Sequence, residues 1–297
     1  MTKRQYARGC GVWCLCLAAS LVGGCAEPPK PLIIGSGNSA EQMVVAEIVA
    51  QHLEHRLQRK IERRLGMGDE LILYQAIVSG NVTLYPDYAA ALETAVLKET
   101  PDLDPSIVRE RVRNELERRA QLILLEPLGY ECTPVVVVKS AVAKKDNLKT
   151  LSDAAHATLR WKLGISYDFE QRANGLTALN AYALPMDRGA RAMEPAQLFP
   201  ALEEEQVNML ASNATDGHLV SPKFAVLADD RGVFAPYQAA LLVREDALTG
   251  VPDLRSALSD LSGKLSTEKV RAFAAEVELK HRQPAEVASA FLTESGL

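Results

Sequence analysis

The stretch LIIGSGNSAEQ, residues 32–42, decides how this chain is read. Leu32, Ile33 and Ile34 form a short strand of the fully buried type, and Gly35-Ser36-Gly37-Asn38 is a loop. Ser39 with Gln42 makes a capping box, so a helix starts there. Beyond it Val45, Val49, Leu53, Leu57 and Ile61 recur every four residues, and Leu65-Gly66 is expected to end the helix. The same alternation continues outward. Residues 71–73 read as strand and 74–79 as a short helix, 82–84 as strand, and 105–117 as a charged amphipathic helix. Residues 135–138 are four consecutive valines, the pattern of a strand buried on both faces. Strands at 163–165, 207–210, 224–227 and 240–243 follow, with helices starting at 151 and near Gly175 and covering 253–261 and 267–277. Strands alternating with helices predict an α/β fold with mostly parallel sheets. Since no interdomain linker is visible, two lobes would be interwoven rather than strung in series.

Composition narrows the function. The 297 residues are 47% hydrophobic and 24% charged, and 33 basic residues stand against 38 acidic ones, which excludes a basic nucleic-acid-binding surface. No apolar run is long enough for a spanning helix. Lys3, Arg4 and Arg8, then a short apolar stretch, form a signal peptide over residues 1–24. Val22-Gly23-Gly24-Cys25 resembles the bacterial lipobox, which implies that Cys25 is lipidated and becomes the first mature residue. Residues 25–31, rich in proline, suit a short stiff tether. The chain is therefore expected to be exported and lipid-anchored at the cell envelope, on the periplasmic side in a Gram-negative organism. Removing the leader takes three positive charges and no negative ones, which moves the net charge from −5 to −8. Cys132 is then the one free thiol, so no internal disulfide can form.

Several local motifs have plain explanations. Gly35-x-Gly37-x-x-Ala40 fits a loose dinucleotide fingerprint, yet an exported lipoprotein meets little nicotinamide, and a tight turn at a helix N-terminus accounts for it. His52 and His55 share a helix face, but with no third ligand evident they read as a solvated face rather than a metal site. No nucleophile elbow or HExxH pattern is present, and neither cofactor nor metal is expected. Thr215-Asp216-Gly217 reads as a turn, and Tyr85-Pro86-Asp87-Tyr88 sets two aromatics at a strand end.

In order along the chain, IGSGNSAEQ (34–42), AIVSGNVTLYPDY (76–88), EPLGY (126–130), KTLSD (149–153), TDG (215–217), PYQAA (236–240) and VRED (243–246) resemble one family. It is the substrate-binding proteins of ABC importers for glycine betaine, choline, carnitine and related osmoprotectants. The resemblance implies a type II periplasmic-binding-protein fold, with two α/β lobes joined by two crossover strands. Lobe I would take residues 31–134 and 240–297, and lobe II residues 135–239. It further implies a non-catalytic monomer that closes on one small zwitterionic or quaternary-ammonium solute and delivers it to a permease subunit with a cytoplasmic ATPase.

In this family tyrosines cage a trimethylammonium group, by cation–π attraction, while basic residues and a threonine hold a carboxylate. By resemblance Tyr88 and Tyr237 match cage tyrosines, and Arg172 matches the carboxylate-binding arginine. Four positions depart from the pattern: Gly37 replaces a lysine, Ala91 a threonine, and Pro134 and Asn213 each a tyrosine. Cys132 and Thr215 complete the expected ligand-binding set, and Asn213 with Cys132 would make one side of the pocket polar. The departures point to a ligand with an anionic group for Arg172 and hydrogen-bonding atoms for Asn213, such as an amino-acid derivative. The alternatives are a cage rebuilt by Tyr130 or Tyr167, and a ligand sensor without a transport role.

Overall fold

The strand that opens the reading seeds the first of two five-stranded sheets. This computed structural model describes residues 31–100 and 102–297, so the expected signal peptide and Cys25 lie outside the described residues, as does the tether up to residue 30. The first sheet is built from β1 (Leu32–Gly35), β2 (Ile61–Arg64), β3 (Leu84–Tyr88) and β4 (Leu122–Leu124), plus a strand from the far end of the chain. The second contains β5 (Pro134–Lys139), β6 (Leu163–Ser166), β7 (Arg191–Met193), β8 (Met209–Asn213) and β9 (Phe224–Leu227). The chain then returns with β10 (Ala239–Arg244), giving the orders β2-β1-β3-β10-β4 and β7-β6-β8-β5-β9.

The outgoing and returning segments run side by side between the sheets. Leu128 N–H donates to the Ala239 carbonyl at 2.9 Å, Ala239 N–H to Tyr130 at 3.1 Å, and Cys132 N–H to Tyr237 at 2.9 Å. These are the two crossover strands of a type II periplasmic-binding fold. The expectation of mostly parallel sheets needs correction. β5 and β10, each the first strand after a crossing, run antiparallel to both neighbours. Parallel neighbours need a helix crossover on the same sheet, which neither strand has.

β5 is buried on both faces, as its valines indicate: Val136 and Val138 pack with Trp161 and Met209, and Val137 with Phe199 and Leu202. The first helix, Ala40–Leu57, starts at Ser39, whose hydroxyl accepts the Gln42 N–H at 3.2 Å. It ends earlier than expected because Gln58 turns left-handed at φ 49°, and Ile61 opens β2 opposite Leu32. Residues 71–73 are helical rather than extended, since Asp69 caps Leu71 and Ile72 and starts a helix over Glu70–Val78. The strand expected at 82–84 instead runs through Pro86, which is tolerated because β1 pairs with β3 only at Leu84. The helix expected from about Gly175 follows a kink at Asn174 and Gly175, where the chain leaves the helix Tyr167–Gln171. A Cβ on Gly175 would lie 2.0 Å from the Phe169 carbonyl oxygen, so the close approach at the kink requires glycine.

Candidate ligand-binding site

Sheet register brings the aromatic pair together. Ala239 stands opposite Tyr88 across the β3–β10 ladder, so Tyr237, two residues earlier, falls on the same side as Tyr88. Their ring centroids are 6.0 Å apart at 41°, and both side chains are buried. From the second sheet, β6 leads into the helix Tyr167–Gln171, and Arg172 follows it. The Arg172 guanidinium carbon lies 5.7 Å from the Tyr237 centroid. Its Nε is 2.9 Å from Asp168 Oδ2 but is not aligned for a hydrogen bond. β3 and β6 thus both present their carboxyl ends to this point, where open α/β sheets hold ligands.

A cavity of about 370 Å³ opens here, lined by Glu70, Ala91, Thr94, Asp168, Arg172 and Tyr237 among others. That volume suits a small solute. A larger depression of about 730 Å³, against Gln51 and the C-terminal helix, contains none of the expected site residues.

A buried polar cluster lies behind the tyrosines. The Tyr88 hydroxyl donates to Glu41 Oε1, in the first turn of the helix that Ser39 caps. Cys132 Sγ is 3.1 Å from Thr215 Oγ1, and both side chains approach the same carboxyl. Burial pushes the Glu41 carboxyl up to about 7, while the neighbouring Thr215 hydroxyl and Cys132 thiol pull it partly back. Asp87 is pushed well above the carboxylate range by burial, with Glu70 adding and Tyr85 opposing; its Oδ1 accepts the Tyr88 N–H at 2.7 Å. Burial likewise raises the Cys132 thiol, with Glu41 adding, which keeps it protonated and unreactive.

Among the described residues ten buried side-chain atoms have no hydrogen-bond partner within the protein, and six of them belong to this region. They are Glu41 Oε2, Tyr85 Oη, Asp87 Oδ2, Tyr130 Oη, Arg172 Nε and Tyr237 Oη. Buried polar groups are normally satisfied, so their concentration in one place marks where a polar ligand would complete the set.

The other expected residues are placed as follows. Gly37 gives backbone only, and a Cβ there would lie 2.2 Å from Gln42 Oε1, so the glutamine amide fills the space a side chain would need. Pro134 and Asn213 are register partners at the ends of β5 and β8, and neither lines the cavity. Tyr167 is 52% exposed, whereas Tyr130 is buried against the Glu41 and Asp87 group. His52 is not solvated: it is buried and bonded through Nε2 to the Ala257 carbonyl at 2.9 Å, while His55 is exposed. Glu41, Glu70, Asp87 and Asp168 were not expected. Asp87 carried a signal, a carboxylate inside an otherwise apolar strand, and Glu41 carried none.

The two sheets' sides also meet at the Thr215-Asp216-Gly217 turn. Arg271 Nε donates to the Ala214 carbonyl at 2.8 Å, and Gly217 N–H donates to Glu278 Oε2 at 3.2 Å. A Cβ on Gly217 would lie 2.6 Å from the backbone nitrogen of Ala275, so this approach requires glycine.

Residues 30–294 match the family described as the substrate binding domain of ABC-type glycine betaine transport systems. The chain is 26% identical over 279 residues to the carnitine transport binding protein of Listeria monocytogenes, covering 93% of this chain and 90% of that one. It is 27% identical over 301 residues to the ergothioneine transport permease/ergothioneine binding protein of Helicobacter pylori, covering 99% of this chain and 54% of that one. The crystal structure of a glycine betaine/carnitine/choline ABC transporter protein superimposes with a TM-score of 0.79 at 25% identity, covering 89% of this chain and 98% of that chain. With the fold, the paired tyrosines and the arginine in place, the chain belongs to the substrate-binding domains of ABC-type glycine betaine transport systems.

Proposed function

We propose that this protein is an extracytoplasmic solute receptor, anchored through lipidated Cys25. In this reading it captures one small zwitterionic or quaternary-ammonium solute between its lobes and hands it to a permease subunit driven by a cytoplasmic ATPase. Lobe I comprises residues 31–134 and 240–297, lobe II residues 135–239, and the paired crossover strands are the hinge. The observation that carries the reading is the convergence of Tyr88, Tyr237 and Arg172 beside the 370 Å³ cavity, from three separate elements. Relatives named for carnitine and ergothioneine transport support a small cationic or zwitterionic solute. One of them joins permease and binding protein in its name, which supports the permease partner.

The protein acts as a monomer and binds without chemistry. Its one thiol at the site is buried and held protonated, which suits a filler rather than a nucleophile. Among the proposed ligand-binding residues, Arg172 takes the anionic end and Tyr88 with Tyr237 the cationic end. Ala91 lines the cavity, Cys132 and Thr215 belong to the polar cluster behind the tyrosines, and by resemblance Gly37, Pro134 and Asn213 mark the loss of the carboxylate-binding lysine and two cage rings. The ligand is accordingly a zwitterion such as an amino-acid derivative. A thermal-shift panel of such solutes tests this reading.

A further inference from the structure

Glu41 distinguishes two kinds of cation. A fully methylated ammonium has no N–H to donate and is held by aromatic faces. A nitrogen that keeps its hydrogens needs acceptors, and a buried carboxylate is the strongest one a protein offers. The resemblance implies cage rings at two positions where this chain has Pro134 and Asn213, and the Tyr237 face is already met by its own Arg172. Against that, it places a carboxyl that is 4% exposed directly behind Tyr88. One oxygen of that carboxyl takes the Tyr88 hydroxyl; the other makes no aligned hydrogen bond within the protein, although Thr215 and Cys132 lie beside the same carboxyl. Asp87 Oδ2 and the Tyr130 hydroxyl are also unpartnered, so the polar groups around Glu41 do not satisfy one another.

We propose that Glu41 is a specificity-determining ligand contact, whose free Oε2 accepts a hydrogen bond from an N–H-bearing nitrogen of the solute while Arg172 holds the solute's anionic group. The ligand class is therefore an amino acid or amine-bearing zwitterion that retains N–H, in preference to its permethylated betaine. This rests on the solute-binding reading above and narrows its ligand. The alternative role for Glu41 is to anchor the Tyr88 hydroxyl and touch no ligand.

The test is isothermal titration of the mature protein with solute pairs that differ only in methylation. Suitable pairs are glycine and glycine betaine, γ-aminobutyrate and γ-butyrobetaine, and lysine and Nε-trimethyllysine, with histidine and arginine added as further N–H bearers. The expected result is that an N–H bearer binds and its methylated partner binds roughly 10- to 100-fold more weakly, the worth of a hydrogen bond to a charged group. Glu41→Gln should then weaken the N–H bearer by a similar factor and remove the preference. The wild-type preference needs no variant, so a Glu41→Gln protein that failed to fold would still leave the proposal open to refutation. Tighter binding of the methylated members, or unchanged affinity in Glu41→Gln, overturns this inference and leaves solute binding intact. Binding of no member, carnitine and choline included, overturns the solute-binding reading itself.

Discussion

The guanidinium carbon of Arg172 lies over the ring of Tyr237, 5.7 Å from its centroid, the arginine following the helix Tyr167–Gln171 of the second sheet's side and the tyrosine on the returning crossover. A trimethylammonium group must therefore compete with the protein's own cation for that face. Restoring the missing rings should offset this. Pro134→Tyr with Asn213→Tyr is expected to tighten choline or glycine betaine by roughly 10- to 1000-fold, at about 0.5–2 kcal/mol per ring. Titration of the double variant against wild type measures it, and no gain would mean that rings at these positions, which lie outside the cavity lining, do not reach the ligand.

Glu41 gives stability a pH dependence. Its carboxyl in the folded chain titrates at about 7 instead of 4.5, so the folded state keeps a proton that the unfolded state releases between those values. Its contribution is complete below pH 4.5 and is lost as pH rises through 7, on the order of 3 kcal/mol. Asp87 and Glu278 are raised in the same sense, so Glu41→Gln should reduce the slope without removing it. Urea unfolding at pH 5 and pH 8 would reveal the difference, and a wild type equally stable at both would contradict it.

Gly217 lies directly against the helix Thr267–Glu278. A methyl group there meets the Ala275 backbone, an overpacking cost of about 1–3 kcal/mol. If closure and binding are linked, Gly217→Ala should weaken any ligand by roughly 5- to 150-fold. Small-angle scattering with saturating ligand should then show a more open particle than wild type. Affinity equal to wild type would mean that this contact does not form on closure.

Cys132 offers a label for opening. It is buried beside Thr215 and Glu41, with its thiol held protonated. Alkylation by iodoacetamide, followed by peptide mapping, should be slow in the folded protein and slower still with ligand bound. Modification at the same rate with and without ligand would show that Cys132 is not at the closing surface.

How much of this was legible in the sequence depended on the range of the cause. The Ser39 cap and the four valines of β5 are local and were readable. Pro86 and Asp87 hid β3, because a proline and a carboxylate argue against a central strand unless one knows that β1 stops short of them. Tyr88, Tyr237 and Arg172 could be named only by resemblance, since their meeting depends on β10 returning antiparallel beside β3. Glu41 was invisible: an acid in the first turn of a helix is ordinarily a solvated partner of the helix dipole, and only tertiary packing buries this one.

The measurement that bears most directly on solute capture at Arg172 is a melting-temperature panel on wild type and Arg172→Ala. It would include glycine betaine, choline, carnitine, ergothioneine, amino acids and polyamines. A carboxylate-bearing solute at 100 times its Kd should add about 2.7 kcal/mol of stability to wild type, a clear upward shift. The same solute should give no shift in Arg172→Ala, where losing the charged partner costs about 2–5 kcal/mol. A shift of equal size in both proteins, or none with any compound, would contradict capture at this site.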